Sequence, residues 1–389
     1  GEFPLLATYT EVFMKHLAGF VKAFFPLFLL GAIFGSLMSA SGFAERIARQ
    51  ISGFLGARHA ILSVVLSCAV LTYGGVSLFV VAFAVYPIAA ALYRQAGIPK
   101  RLIPASLALG SFTFTMVALP GTPQIQNSIP MPYFGTTLYA APIIGTVVGL
   151  WMAVAGTLWL QYRARKLQAA GEGYGNHADD AIAVATPERG GFSLLPWIPV
   201  LLVLSLSFVF SNYVFPSLNL DYLKDAPYQT IGPKVVGLWS LVLALAIACL
   251  FTYAISWKRR GAMTDSINAG VRGSLLAVIN TASEVGYGNV IASLRAFAVV
   301  KAWILGVSTN PLISASATTA VLAGITGSAS GGLSITLESL GSQYLNLAVA
   351  NGINPEVLHR VTAIACSGLD ALPHNGAVIT TLTVCGLTH

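Results

Sequence analysis

"SGLDALPHNGAVITTL", residues 367–382, sets an Asp, a His, an Asn, a Pro and two Gly into a strongly apolar region. Proline removes a backbone donor and glycine loosens a helix, so a helix passing through this stretch is expected to break. A helix broken in mid-membrane exposes N–H groups at the start of its second half. Those groups carry partial positive charge and attract anions. The reading depends on whether the surroundings are lipid, and composition decides that.

Of 389 residues 56% are hydrophobic and 9% are charged, against about 25% charged in soluble domains. The mean hydropathy is +0.75. Apolar runs of about 20 residues, long enough to cross the hydrocarbon core, recur along the chain. The chain is therefore read as an all-α polytopic membrane protein, since a transmembrane β-barrel would show short alternating segments instead. The net charge of +7 sits in short loops and calls for no nucleic acid. Cys68, Cys249, Cys366 and Cys385 lie in apolar stretches without paired spacing. They read as packing residues, not as a metal site or a disulfide frame.

Spans are expected at 18–41, 137–160, 194–215 and 235–256. The one long polar stretch lies between them, and three domains follow: an N-terminal repeat at 1–160, a polar cytoplasmic linker at 161–192 and a C-terminal repeat at 193–389. Lys and Arg gather at 94–101 ("RQAGIPKR"), 163–166 ("RARK") and 258–260 ("KRR"), which places these loops in the cytoplasm. The loop "NLDYLKDAP" (219–227) then faces outward. Parity requires 59–93 to enter and leave on the cytoplasmic side, as a re-entrant hairpin with "YGGVS" at its tip. Irregular backbone at that depth must be buried in protein or line a wet cavity.

Self-similarity supports two copies of one unit. "GGVS" (74–77), "GIP" (97–99) and "ALP" (118–120) recur in order as "GGLS" (331–334), "GINP" (352–355) and "ALP" (371–373). The starts are 23 and 21 residues apart in the first copy, 21 and 19 in the second. A weaker match pairs "SGFAERIAR" (41–49) with "YGNVIASLR" (287–295). Counting crossings from "KRR" puts the second hairpin on the outside, so the copies are expected to be inverted. Inverted repeats with Gly/Pro-interrupted segments mark secondary transporters, whose substrate binds near the midplane. The fold expected is two inverted repeats, each with a re-entrant hairpin and a discontinuous transmembrane helix. Comparing the copies also suggests that about two helices precede and at least one follows this stretch of chain.

Four interrupted segments carry the candidate chemistry: 72–79, 115–130, 327–339 and 367–378. At them stand Ser77, Thr122, Gln124, Gln126, Asn127, Ser330, Ser334 and Asn375, neutral groups suited to a carboxylate. Singly, each Ser or Thr is better explained by bonding back to its own helix; the case rests on coincidence with the breaks. Ionisable residues at depth are costly and point to function. Asp370 and His374 are candidates for proton coupling, against a structural Asp–His pair that caps the broken helix. Glu284 is a further coupling acid or the occupant of a wet helix end. Glu338, Lys22, Glu45, Arg46 and Arg49 read as interfacial. There is no phosphate loop, metal-ligand cluster or nucleophile triad, so neither cofactor, ATP-driven pumping nor enzymatic activity is expected.

"YGGVSLFVVAFAVYPIA", "FTFTMVALPGTPQIQNSIP" and "SGLDALPHNGAVITTLTVCGLTH" resemble the gluconate permease (GntP) family of proton symporters, within the wider superfamily of inverted-repeat ion transporters. The resemblance runs over nearly the whole chain. It implies uptake of a small hydroxy-carboxylate, of the gluconate or 3-hydroxybutyrate class, with protons through a bacterial inner membrane. It also implies alternating access and a homodimer, with substrate at the hairpin tips and broken helices, which by motif adds Gly74 and Gly75 to the candidate residues above. No sodium-site pattern stands at the tips. A sodium-coupled di- or tricarboxylate carrier of the same fold, or an anion channel or exchanger, remains the alternative.

Overall fold

The computed structural model describes residues 4–177, 191–257, 260–295, 299 and 308–389. Lys258 and Arg259 of the expected "KRR" loop, and most of the polar stretch after 177, lie outside the described residues. Among the described residues every regular element is helical.

Four helices are long and apolar enough to cross a bilayer: α1 (Leu5–Ala40), α9 (Pro142–Ala169), α10 (Leu195–Ser217) and α11 (Gly232–Ile255). They match the four expected spans. α9 runs past 160, so the polar stretch begins as helix. Between α1 and α9 come α2 (Phe43–Leu55), α3 (Ala60–Tyr73), α4 (Leu78–Gln95), α5 (Ile103–Ser111) and α6 (Phe114–Val117). The short α7 (Ile125–Ser128) and α8 (Pro130–Phe134) complete this half. After α11 come α12 (Arg260–Ser293), α13 (Pro311–Thr326), α14 (Ala329–Ala350), α15 (Pro355–Ala365) and α16 (Gly376–Val384).

Part of the order recurs: in each half a helical hairpin is followed by a glycine turn, a helix with proline in its first turn and a break, but the first half places α2 before its hairpin and three short helices, α6 to α8, at its break, where the second has α16 alone. α3 and α4 form the first hairpin, α13 and α14 the second. The "GIP" and "GINP" turns share one geometry. Gly97 and Gly352 take φ of +63° and +66°. In each, the next residue's N–H returns to a carbonyl of the last helical turn, Ile98 to Tyr93 and Ile353 to Ala348, both at 2.8 Å. Only glycine adopts this left-handed turn without steric cost, which is why it ends both helices.

Two expectations are corrected here. "GGLS" is not the tip of the second hairpin: the chain turns at Gly327 (φ +63°) and Ser328, and Gly331 to Ser334 lie inside α14. The Ser328 hydroxyl accepts from the Gly331 N–H at 3.0 Å, and this cap starts α14 early. The weaker match of 41–49 with 287–295 also fails to fall at equivalent places. Ser41 and Gly42 end α1, whereas Tyr287 and Gly288 continue α12.

The long helices form a framework. α1 lies along α12, where Gly270 sits on the backbone of Ala32 and Ile33 and lets the two axes approach closely. α11 packs on α1 and α10. Against this framework the two halves cross. The short helices α7 and α8 of the first half pack on α14 of the second hairpin. In return, α16 packs on α4 of the first hairpin.

Candidate functional site

Each break is tied to its own hairpin by the residue that begins the helix after it. In the first half that residue is Gln124, the N-cap of α7, whose Nε2 donates to the Thr72 carbonyl at 2.7 Å. Thr72 lies in the last turn of α3, where carbonyls have no helical partner. The Tyr73 hydroxyl donates to the Pro120 carbonyl at 2.7 Å and makes a second tie. Gly75 (φ +91°) forms the tip itself and lies against Pro123.

The second half repeats the device with different residues. Asn375 is the N-cap of α16: its Oδ1 accepts from the Val378 N–H at 2.9 Å, and its Nδ2 donates to the Gly327 carbonyl at 2.9 Å. His374 bonds through Nε2 to the Gly324 carbonyl at 3.1 Å. Both acceptors belong to the end of α13. The structural Asp–His pair, the alternative to proton coupling in the sequence reading, is not formed: His374 turns to the hairpin, while Asp370 is buried at 4% exposure. The Asp370 carboxyl instead faces the backbone N–H groups of Asp370 and Ala371.

The first break holds what the sequence did not foretell. Arg360 of α15 is fully buried and reaches across from the second half. Its Nε donates to Ala140 O at 3.0 Å, and its Nη1 to Val117 O at 3.2 Å and Asn127 Oδ1 at 2.8 Å. Its Nη2 donates to Leu138 O at 3.1 Å and Ala140 O at 2.9 Å. A guanidinium has five N–H donors, so all are used. Carbonyls released by the irregular backbone of 117–140 are thus satisfied by one side chain. Beside it, His359 bonds Thr136 Oγ1 at 2.6 Å and Asn127 Oδ1 at 3.1 Å. No salt bridge joins Arg360 to a carboxylate among the described residues; the nearby carboxylate of Glu356 accepts instead from the Ala141 N–H at 3.1 Å. Asn127 is among the residues singled out from the sequence. His359 and Arg360 were visible only as charges in the turn after "GINP".

A cavity of about 640 Å³ comes up to one member of this network, Thr136. Its walls include Phe215, Leu220 and Val236, with Asp221 and Lys224 of the 219–227 loop among its lining residues. On the other side Gly135, Thr136 and Thr137 line it, and Thr136 is the residue that bonds His359. The Asp221 carboxylate, 2.5 Å from Lys224 Nζ, raises the pKa of that exposed ammonium. None of the residues expected at the site from sequence lines this cavity.

The remaining candidates divide. Thr122 is buried, and its hydroxyl has no hydrogen-bond partner. The same holds for Ser334, inside α14. Ser330 stands 3.4 Å from Ser328, hydroxyl to hydroxyl. Gly74 packs against Val200, and Ser77 begins α4 beside Gly35 of α1. Glu284 of α12 lies at the second hairpin tip, where a Cβ on Gly331 would overlap its carboxylate. Glu338, read as interfacial, bridges His16 at 2.9 Å and Tyr133 at 2.6 Å. The breaks also differ in burial: 117–122 is largely enclosed, whereas Leu369, Leu372 and His374 are exposed.

The sequence model of the GntP family permeases matches residues 11–372. This chain belongs to the GntP permease family. The permease is 45% identical to the uncharacterized transporter YxjC of Bacillus subtilis over 403 residues, 99% of this chain and 84% of that protein. Its fold is similar to the crystal structure of the Alcanivorax borkumensis YdaH transporter, with a TM-score of 0.56. That match covers 95% of this chain and 80% of the other at 14% identity, a likeness of fold alone. The permease is a multi-pass membrane transport protein, not an enzyme, in keeping with the bacterial inner membrane expected above.

Proposed function

We propose that this permease is a secondary active symporter for a small hydroxy-monocarboxylate of the gluconate or 3-hydroxybutyrate class, driven by protons. The observation that carries the reading is the paired tie between hairpin and break. Gln124 to Thr72 and Asn375 to Gly327 make each hairpin and its broken helix a single mechanical piece. The crossed packing of α7 and α8 on α14, and of α16 on α4, joins the two pieces into one transport unit. That unit moves against α1, α9, α10, α11 and α12, with the two halves inverted in the membrane. The domains are the repeats 1–160 and 193–389, joined by the linker 161–192. The protein works as a homodimer.

The cavity beneath the 219–227 loop is the outer vestibule, and Thr136, which bonds the buried His359 behind it, forms part of its wall. The buried Arg360 charge supports a monoanion there by its field, since none of its N–H groups is left to donate. Thr122 and Ser334, whose hydroxyls lack partners, complete the polar lining with Gly74, Gly75, Ser77, Gln124, Ser330 and Asn375 around the tips. Asp370 and Glu284 take the coupled protons, and His374 sets the backbone beside Asp370. A carboxyl that must lose its charge to cross lipid links proton and substrate movement.

The test is uptake into proteoliposomes. Purified permease should raise its apparent Tm with gluconate or 3-hydroxybutyrate and accumulate the same acid when a proton gradient is imposed. Accumulation driven by sodium at equal internal and external pH would replace the proton reading. Flux that neither saturates nor accumulates would replace transport by a channel.

A further inference from the structure

The helix α2 meets the α3 side of the first hairpin at 102°. If α3 enters the bilayer, α2 lies along its surface. Its inner face, Phe43, Ala44, Ile47 and Ala48, is buried in the protein. Its outer face carries the exposed Arg46 and Arg49, while Phe54, seven residues after Ile47 on the apolar stripe, runs beyond the covered part and is 91% exposed. A basic face beside an apolar stripe that ends in an uncovered aromatic is the pattern of a helix lying in the headgroup region. The turn that follows adds Arg58, also exposed. Glu45 faces Arg49, so the rim keeps a net positive charge.

Between α2 and the start of α10 lies an apolar groove of about 310 Å³. It is lined by Ile51, Phe54, Leu55 and Leu66 on one side, and by Phe192 and Trp197 on the other. Its closed end is pinned by polar bonds. Trp197 Nε1 donates to Gln50 Oε1 at 2.7 Å, and Gln50 Nε2 donates to the Ser193 carbonyl at 3.1 Å. An exposed apolar slot in a water-soluble protein would mark a partner. Here the slot stands at the junction of an interfacial helix and the first turn of a span, where Trp anchors membrane proteins.

We propose that this groove is a binding site for an anionic phospholipid of the cytoplasmic leaflet. One acyl chain lies along Phe54, Leu66 and Phe192, and the phosphate faces Arg46, Arg49 and Arg58. Charge complementarity selects the lipid: a zwitterionic headgroup brings no net attraction to this rim, whereas a phosphatidylglycerol does. α2 connects the framework helix α1 to the first hairpin, and Trp197 opens the framework helix α10. The lipid therefore sits across the joint between framework and the proposed transport unit. This placement rests on the proposed orientation, but its readout is binding, so a failure of the transport reading leaves the result intact.

The test is fluorescence quenching by brominated acyl chains in nanodiscs. The Trp197 signal is taken as wild type minus Trp197→Phe, at equal bromine content in phosphatidylglycerol and phosphatidylcholine. The expected result is a Trp197 quenching constant about fivefold greater with the anionic lipid, the weight of one basic residue at an anionic surface. The preference should vanish in the Arg46→Gln/Arg49→Gln/Arg58→Gln variant, whose substitutions are all on the exposed face. Equal quenching by the two headgroups in the wild type would overturn the proposal, as would a Trp197 that no brominated chain reaches.

Discussion

Asn375 spans the gap between two helices with one side chain: it caps α16 through Oδ1 and holds the Gly327 carbonyl at the end of α13 through Nδ2, each at 2.9 Å. The two functions are separable. Asn375→Ser keeps an oxygen for the cap and loses the donor to Gly327. Asn375→Ala loses both. The expected outcome is that Asn375→Ala lowers the apparent Tm by the cost of a cap, about 1 kcal/mol, plus the orphaned carbonyl. Asn375→Ser should keep most of the stability yet lose uptake. Equal uptake in the serine variant and the wild type would show that the tie to the hairpin is dispensable.

Arg360 is expected to be the most sensitive residue for stability. Replacing it with Met orphans the buried carbonyls of Val117 and Ala140 at once, each worth about 1 kcal/mol or more, while that of Leu138 keeps the Gly121 N–H and Asn127 Nδ2 as donors. Arg360→Lys supplies a charge but only three donors without the planar fork, and should fold with reduced Tm. A double-mutant cycle with Asn127→Ala should give a coupling energy of about 1 kcal/mol or more, as for residues within one hydrogen-bond network. Strict additivity would mean that the 2.8 Å contact contributes nothing.

Gly331 has no room for a side chain because the Glu284 carboxylate lies against it. Gly331→Ala alone should destabilise the protein or displace α14 from α12. Glu284→Ala clears the obstruction, so the double variant should recover the thermal stability of Glu284→Ala. Pure additivity in thermal unfolding would show that the obstruction lies elsewhere.

All four native cysteines are buried, which makes the vestibule readable by chemistry. Thr137→Cys places a thiol on the cavity wall. It should react with a membrane-impermeant maleimide added from outside to intact cells, and bound substrate should slow the reaction. Labelling from the cytoplasmic side only would reverse the proposed orientation.

Asp370→Asn removes the buried carboxyl at the second break without changing its size. Accumulation driven by a proton gradient should fall by an order of magnitude or more, while exchange of substrate across the membrane at equal pH persists. Unchanged dependence on the gradient would move the coupling role to Glu284.

The breaks were legible because their causes are local. "ALPGTP" and "ALPHNG" withdraw donors and loosen the backbone wherever the chain goes, and the apolar runs of α1, α9, α10 and α11 follow from length and hydropathy alone. The glycine turns at Gly97 and Gly352 were equally plain, since a left-handed residue after a helix announces itself as Gly. The tip of the second hairpin was misplaced by a few residues because "GGLS" repeats the letters of "GGVS". The Ser328 hydroxyl starts α14 before those letters are reached.

Composition and punctuation in the sequence thus determined that this protein crosses a membrane, where it does so and where its helices must part. Which group fills each parting was decided only in three dimensions. Arg360 satisfies carbonyls more than 200 residues away in the chain, and His374 turns from Asp370 to Gly324. An unpaired carbonyl takes whatever donor the crossing of helices brings within 3 Å, and that crossing is a property of the packed molecule, with no local pattern to announce it.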